Sequence, residues 1–224
     1  MRKSKSSRAI LILESPWQLD DADSNRSSVI PFIEGIAKLV GDTEVFYANF
    51  YDLPSFRKAF ECLCKVKYDN TIVYVAAHGS SNSIGSASIE KCLEEVANHS
   101  REFNIKGVML GSCYVGGKAD VIINNIHDSN LKWCVGYKAA TYWLPSTMID
   151  CSIISHLIEL NDNQFSNKAT IITALRNAMS PFDRQYLIGV DKYDNDISLL
   201  NSMEFYIQPD GKGHRAKSVT NDIL

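Results

Sequence analysis

Residues 71–77 (TIVYVAA), followed directly by His78 and Gly79, are the stretch from which the fold is inferred. Their side chains are β-branched, aromatic or small and carry no charge, which is typical of a strand buried on both faces. Three similar apolar runs lie at residues 9–13 (AILIL), 107–110 (GVML) and 133–137 (WCVGY). Together these runs predict strands of a parallel sheet.

Segments with helical spacing of apolar residues alternate with these strands. They lie at residues 29–40, 52–63, 89–97, 116–125, 146–160 and 168–179, and residues 44–50 and 203–208 predict two more strands. Alternation of this kind predicts an α/β fold, a three-layer sandwich with a mostly parallel central sheet and helices on both faces. The Ser/Gly-rich residues 80–88 and the polar residues 181–201 are interpreted as mobile loops.

The composition is that of an ordinary globular protein. The chain has 224 residues, 45% of them hydrophobic and 22% charged, with a net charge of -3. We expect a basic disordered tail at residues 1–8 and a single domain at 9–224, with its core at about 9–160 and a C-terminal elaboration at 161–224. The acidic balance argues against a nucleic-acid partner. Because no 18-residue apolar run and no signal-peptide core occur, we predict no membrane partner and a cytoplasmic location.

The cysteine pattern argues against a metal site. None of the six cysteines forms a CxxC pair, and Cys62 and Cys64 would point apart on a helix. We therefore predict no metal and no cofactor, and we interpret every cysteine except Cys113 as a reduced core thiol.

His78 and Cys113 form the main functional signal. Each follows an apolar strand, and chemistry in such sheets gathers beyond the carboxyl ends of the strands. If the two strands are neighbours, the imidazole and the thiol approach each other, and a helix predicted to start near Gly116 would favour a thiolate. The backbone N–H groups of Gly79 and Cys113 are candidates for an oxyanion hole.

These segments resemble the caspase-like cysteine peptidases, a group that includes metacaspases, separase, gingipains and bacterial CHAT domains. The resemblance rests on IVYVAAHG (residues 72–79) and GVMLGSC (residues 107–113), and extends to VGY…YW (residues 135–143). It is strongest toward the bacterial CHAT type. It implies a caspase-like sandwich and a cysteine endopeptidase that uses a Cys–His dyad on a protein or peptide substrate, with a role in bacterial stress or antiviral defence.

The resemblance also implies roles for individual residues. Cys113 would be the nucleophile and His78 the general acid/base, with Gly79 and Cys113 as oxyanion donors. Substrate contacts are expected from the acidic loop after the first strand and from the segment after the fifth, namely Asp20, Asp21, Asp23, Tyr142 and Trp143. An activating partner protein or ligand is compatible with this reading.

The sequence departs from the family pattern in two places. Cys113 follows His78 by 35 positions, against about 50 in caspases, and Ser112 stands where metacaspases usually carry an acidic residue. Specificity for Asp or Arg therefore does not transfer.

Two alternatives remain open at this point. One is a catalytically silent binding module with the same fold. The other is a nucleotide-binding domain, because residues 111–119 (GSCYVGGKA) partly match a phosphate-binding loop. That match places Ser112 where the first glycine belongs and Ala119 where a hydroxyl belongs.

Overall fold

The computed structural model describes residues 6–16, 27–209 and 215–224. The strands of this part of the chain are short, and several consist of only two residues. They are Arg8–Glu14 (β1), Thr43–Asn49 (β2), Asn70–Ala76 (β3), Ser83–Ile84 (β4), Ala87–Ser88 (β5), Ile105–Gly111 (β6), Trp133–Tyr137 (β7), Ala140–Thr141 (β8), Leu187–Val190 (β9), Asp196–Ser198 (β10), Met203–Ile207 (β11) and Lys217–Ser218 (β12).

Helices fill most of the intervals between the longer strands. They are Ile30–Val40 (α1), Leu53–Leu63 (α2), Ile89–His99 (α3), Ala119–Ile126 (α4), Trp143–Ile158 (α5), Asp162–Phe165 (α6), Lys168–Met179 (α7), Leu199–Ser202 (α8) and Thr220–Ile223 (α9). A 3₁₀ turn at Val115–Gly117 precedes α4. Where the sequence placed a helix start after Asp52, the Asp52 side chain accepts the Ser55 N–H in a capping box, and Pro54 occupies the first turn.

The central sheet has the order β12-β11-β7-β6-β3-β1-β2. Its pairs from β2 to β7 are parallel, whereas β11 runs antiparallel to β7 and β12 antiparallel to β11. Strands β11 and β12 come from the C-terminal region and extend the same sheet. The predicted mostly parallel α/β sheet is confirmed.

Two apolar cores lie on the two faces of this sheet. Alternate residues of β1 divide between them, because successive side chains of a strand point to opposite faces. Ile10 and Ile12 join the core beneath α1, α5 and α7, whereas Leu11 and Leu13 join the core beneath α2, α3 and α4. The result is the predicted three-layer sandwich.

Both segments interpreted as mobile loops contain regular structure. Residues 80–88 form the hairpin β4–β5, in which Ser83 pairs with Ser88. Residues 181–201 contain β9 and β10, which form a small antiparallel sheet with β8. Strands of two to four residues are too short to show a periodic pattern. The small sheet also depends on β8, which lies about 45 residues earlier in the chain than β9, so the sequence pattern does not indicate either element.

The N-terminal boundary also differs from the prediction. Strand β1 begins at Arg8, and the backbone N–H of Ser7 donates to Asp42 at 3.0 Å. Residues 6–8, which the sequence assigned to a disordered tail, are therefore joined to the sheet, while residues 1–5 lie outside the described chain. Among the described residues, no helix has both the length and the apolarity required to span a bilayer.

Candidate active site

Sheet register places His78 and Cys113 side by side. Ala76 at the end of β3 is the register partner of Gly111 at the end of β6. His78 and Cys113 each follow two residues later, beyond the carboxyl edge of adjacent parallel strands. Neighbouring strands are about 4.8 Å apart, so the two residues share one rim of the sheet.

The backbones of Gly79 and Cys113 lie in direct contact. A Cβ atom placed on Gly79 would lie 2.1 Å from the carbonyl oxygen of Cys113 and 2.7 Å from its nitrogen. Only glycine therefore fits beside Cys113. Across residues 6–16, 27–209 and 215–224, no hydrogen bond uses the N–H of Gly79 or of Cys113 as donor. Within these described ranges, neither N–H group has a hydrogen-bond acceptor.

Strand β8 lies next to the thiol. The backbone N–H of Thr141 donates to Cys113 Sγ with a nitrogen–sulfur distance of 3.4 Å. The N–H of the next residue, Tyr142, points to the opposite side and donates to the carbonyl of Ile188 in β9 at 2.8 Å. The N–H of Thr141 therefore lies at the free edge of β8, facing the cysteine. The sequence pattern VGY…YW at residues 135–143 spans Thr141 but indicates no role for it.

A tight loop presents Cys113. Tyr114 has φ of +66°, a left-handed conformation that costs a non-glycine residue roughly 1–2 kcal/mol. Its N–H donates to the carbonyl of Ala139 at 3.2 Å, and Gly116 packs against Gly136 on β7, where a Cβ would approach within 2.3 Å of the Gly136 carbonyl carbon. The Tyr206 hydroxyl on β11 donates to the Gly116 carbonyl at 2.8 Å. These contacts hold the loop on β7.

The helix after Cys113 begins later than the sequence suggested. Helix α4 starts at Ala119, six residues beyond Cys113, and the 3₁₀ turn lies between them. The expectation that the thiol lies at a helix N-terminus is therefore wrong. The donor on the sulfur is instead Thr141 of β8.

The same loop geometry bears on the phosphate-binding alternative. The N–H groups of Tyr114, Val115, Gly117 and Lys118 all donate to backbone carbonyls of the protein. A phosphate-binding loop must instead present such groups to its ligand. The segment 111–119 does not present that cradle.

The substrate-contact residues predicted from sequence separate into two groups. Tyr142 is 53% exposed, and it directly follows Thr141, whose N–H donates to Cys113 Sγ. Trp143 begins α5 and its ring packs edge-on against Phe32 of α1, with centroids 5.6 Å apart. Trp143 is therefore partly a packing residue. Asp20, Asp21 and Asp23 lie outside the described residues.

The other cysteines differ from Cys113 in their surroundings. Cys64, Cys92, Cys134 and Cys151 are buried, and burial raises the pKa of each of these thiols. Cys62 is exposed on α2, so its interpretation as a core thiol is wrong. Cys113, which is half-buried, and Cys62 are the cysteines open to reagents.

A buried carboxyl group lies beneath the rim and was missed by sequence analysis. Asp150 of α5 is 1% exposed; its two oxygens accept the hydroxyls of Tyr74 at 2.7 Å and Tyr137 at 2.6 Å. Burial raises the pKa of Asp150 to about 7, although both phenol hydrogen bonds oppose this rise. One acidic residue within the apolar run MIDCSII was the signal available in the sequence.

A second buried carboxyl group lies at the same rim. Glu14 ends β1 opposite Ala76, and its oxygens accept the Val29 N–H at 2.9 Å and the Ser28 hydroxyl at 2.7 Å. These bonds tie the start of α1 to the sheet. Among the described residues, no group of three or more His, Cys, Asp or Glu side chains is arranged to hold a metal ion.

The chain resembles solved structures, although sequence comparisons find no relative. No family model matches the chain, and no curated protein matches it. A solved structure that resembles it is the Arg-specific cysteine proteinase gingipain R, with a TM-score of 0.47 and 14% sequence identity. The match covers 80% of this chain and 43% of that one, so the chain spans less than half the length of the proteinase.

Proposed function

We propose that the protein is a cysteine peptidase with Cys113 as nucleophile and His78 as general acid/base. The observation that carries the proposal is the register of β3 and β6, which brings His-Gly and Cys to one rim with their backbones in contact. A nucleophile, a base and free oxyanion donors at one point are the elements of acyl transfer.

The chemistry follows from these groups. The Cys113 sulfur, its proton transferred to His78, attacks the peptide carbonyl carbon, and the oxygen takes up the negative charge. When the C–N bond breaks, His78 returns the proton to the leaving amine, and a thioester remains on Cys113. Water then attacks the thioester, and the thiol and the carboxylic acid are released.

Stabilisation of the oxyanion is assigned to the N–H groups of Gly79 and Cys113. Donors of this kind are worth about 3–4 kcal/mol each in acyl transfer. Contact between the two backbones keeps the donors fixed relative to each other.

An extended polypeptide is the substrate that suits the surroundings. Strand β8 is an edge strand of the small sheet, and exposed strand edges commonly align an extended peptide. A cleft of about 460 Å³ lies along the first turns of α5, the helix that follows β8 in the chain, and is lined largely by apolar side chains such as Leu144, Met148 and Tyr186. We therefore propose a protein substrate with apolar residues near the scissile bond. A preference for basic residues set by Asp20, Asp21 and Asp23 stays a prediction.

A comparison of four proteins tests the proposal. The wild type, Cys113→Ala and His78→Ala are incubated with a peptide library and with candidate partner proteins, and Cys62→Ala serves as the control for loss of an accessible thiol. We expect cleavage by the wild type and Cys62→Ala only. Equal cleavage by all four proteins would exclude the dyad, and absence of cleavage with intact partner binding would favour the silent binding module.

A further inference from the structure

Three strands of the candidate site meet at Asp150. Tyr74 lies on β3, four residues before His78, and its hydroxyl donates to Asp150 Oδ2. Tyr137 lies on β7, four residues before Thr141, and its hydroxyl donates to Asp150 Oδ1. One carboxyl group on α5 thus connects the strand that carries the histidine to the strand that leads to the donor on the sulfur.

The strand between them touches the same group. A Cβ atom on Gly111 of β6 would lie 2.9 Å from Asp150 Oδ2 and 2.6 Å from the Tyr74 ring. Gly111 is two residues before Cys113. The backbone that delivers the nucleophile therefore passes directly over the hydrogen bond between Asp150 and Tyr74.

The network is enclosed and close to the thiol. Tyr74, Tyr137 and Asp150 are each 1% exposed, and the Tyr137 hydroxyl also contacts the Ser146 carbonyl at 3.0 Å. Among the described residues, the other titratable groups that face it are Cys151 on α5 and Cys113 after β6. Burial and the Asp150 carboxyl raise the pKa of Tyr137, and Cys113 and Cys151 add smaller contributions in the same direction. Burying a carboxyl group is costly unless its partners are fixed in place, so the arrangement resists displacement.

We propose that Asp150 is a positioning residue of the candidate active site, holding β3, β6 and β7 in the alignment that brings His78, Cys113 and the Thr141 N–H together. The proposal rests on the proposed function. It predicts that loosening either phenol bond separates the imidazole from the thiol and lowers the reactivity of Cys113, without any change in a residue that touches substrate.

Alkylation of Cys113 by iodoacetamide tests this without a substrate. Rates are measured by peptide mass spectrometry in a Cys62→Ala background, for Tyr74→Phe, Tyr137→Phe and Asp150→Asn, together with the melting temperature. The Phe variants remove one hydrogen bond each and keep the carboxyl group. The alkylation rate of Asp150→Asn is compared with that of the wild type at pH 6. At that pH the Asp150 carboxyl, with a pKa of about 7, is mostly uncharged, so the two proteins differ little in charge.

Asn70 supplies the matched control. It lies at the other end of β3, is 2% exposed, and its side-chain amide donates to the carbonyls of Leu157 and Ile158 at 3.0 Å each. Asn70→Ala therefore weakens the same strand–helix contact far from the rim. We expect it to lower the melting temperature and leave Cys113 alkylation within about twofold of wild type, while the three network variants lower the rate about fivefold or more.

A double-variant cycle separates positioning from stability. In a His78→Ala background the imidazole is already lost, so Tyr74→Phe should change the rate of Cys113 alkylation by less than about twofold. Two results would overturn the positioning role and leave the dyad intact. One is an unchanged alkylation rate in the three network variants, and the other is an equal loss of rate from Tyr74→Phe with and without His78. If His78→Ala itself leaves the rate unchanged, the dyad and the positioning role both fail. If Asp150→Asn does not fold, the two Phe variants decide.

Discussion

At the residue scale, single atoms decide whether the rim can form. Gly79 and Gly111 have backbones so close to neighbouring groups that neither position has room for a Cβ. The sequence pattern indicated Gly79 because glycine follows the histidine directly. It gave no reason to single out Gly111, since its partners Tyr74 and Asp150 are distant in the chain.

Gly79→Ala should disable the site more than it destabilises the fold. The added methyl carbon would lie 2.1 Å from the Cys113 carbonyl oxygen, so the Cys113 backbone would have to move, and misplacement of catalytic groups by about 1 Å costs on the order of 100-fold in rate. Gly35→Ala is the control, because nothing lies within 4 Å of that position in α1, and it should stabilise the protein by about 0.5–1 kcal/mol. Peptidase rates and urea unfolding check both expectations, and equal activity in the two variants would contradict them.

Asp150 should also make stability depend on pH. Its pKa is about 7 in the folded protein against an ordinary 3.8, so the folded state holds a proton that the unfolded chain releases. Its contribution is therefore fully present below pH 3.8 and is lost as the pH rises toward 7, by up to about 1.4 kcal/mol per pH unit.

Urea unfolding of the wild type and Asp150→Asn between pH 4 and pH 8 measures this dependence. The difference in unfolding free energy between the two should shift in favour of Asp150→Asn as the pH rises across this range. A constant difference would show that the Asp150 carboxyl does not titrate in this window.

At the scale of elements, the two-residue strand β8 has more influence on the site than its length suggests. It pairs with β9 on one side and approaches the thiol on the other. Strands β9 and β10 hold it in place, although the sequence there is polar and without clear period. Helix α5 acts from below through Asp150, and the loop at residues 114–117 acts from the side of β7.

Thr141→Pro should lower the reactivity of Cys113, whereas Thr141→Ala should not. Proline removes the N–H that donates to Cys113 Sγ, and alanine keeps it. Loss of a hydrogen bond to a developing thiolate should slow alkylation about tenfold. The rates of the two variants with iodoacetamide provide the measurement, and a slow Thr141→Ala would assign the effect to the side chain.

At the scale of the whole molecule, exposed apolar side chains are concentrated on the segment that follows β8 and on the region around the start of β9. Five apolar side chains are 49–53% exposed there, and they come from the residue between β8 and α5, from α5 itself, and from the region around the start of β9: Tyr142, Leu144, Met148, Tyr186 and Leu187. Large exposed apolar patches commonly bind polypeptides. The patch exists only because the C-terminal region folds back beside α5.

Met148→Glu should weaken binding of apolar peptides at the proposed site. A charge in the cleft would have to be desolvated when the substrate binds, so KM should rise about tenfold with little change in kcat. Leu39→Glu is the control, because Leu39 is 80% exposed on α1 and does not line the cleft. Steady-state kinetics with a peptide that the wild type cleaves distinguish the two variants. A fall in kcat with unchanged KM in Met148→Glu would argue against a role of Met148 in substrate binding.

The sequence by itself determined the α/β class, the helices of eight or more residues, the strands of five or more residues, and the placement of His78 and Cys113 at strand ends. Apolar runs and helical periods are patterns within short stretches of the chain, so they can be recognised in the amino-acid sequence alone. The adjacency of β3 and β6, the donor from Thr141, the absence of a helix at Cys113 and the Asp150 network were decided by the tertiary structure. Each depends on contacts between residues far apart in the chain, which only packing of the layers brings together.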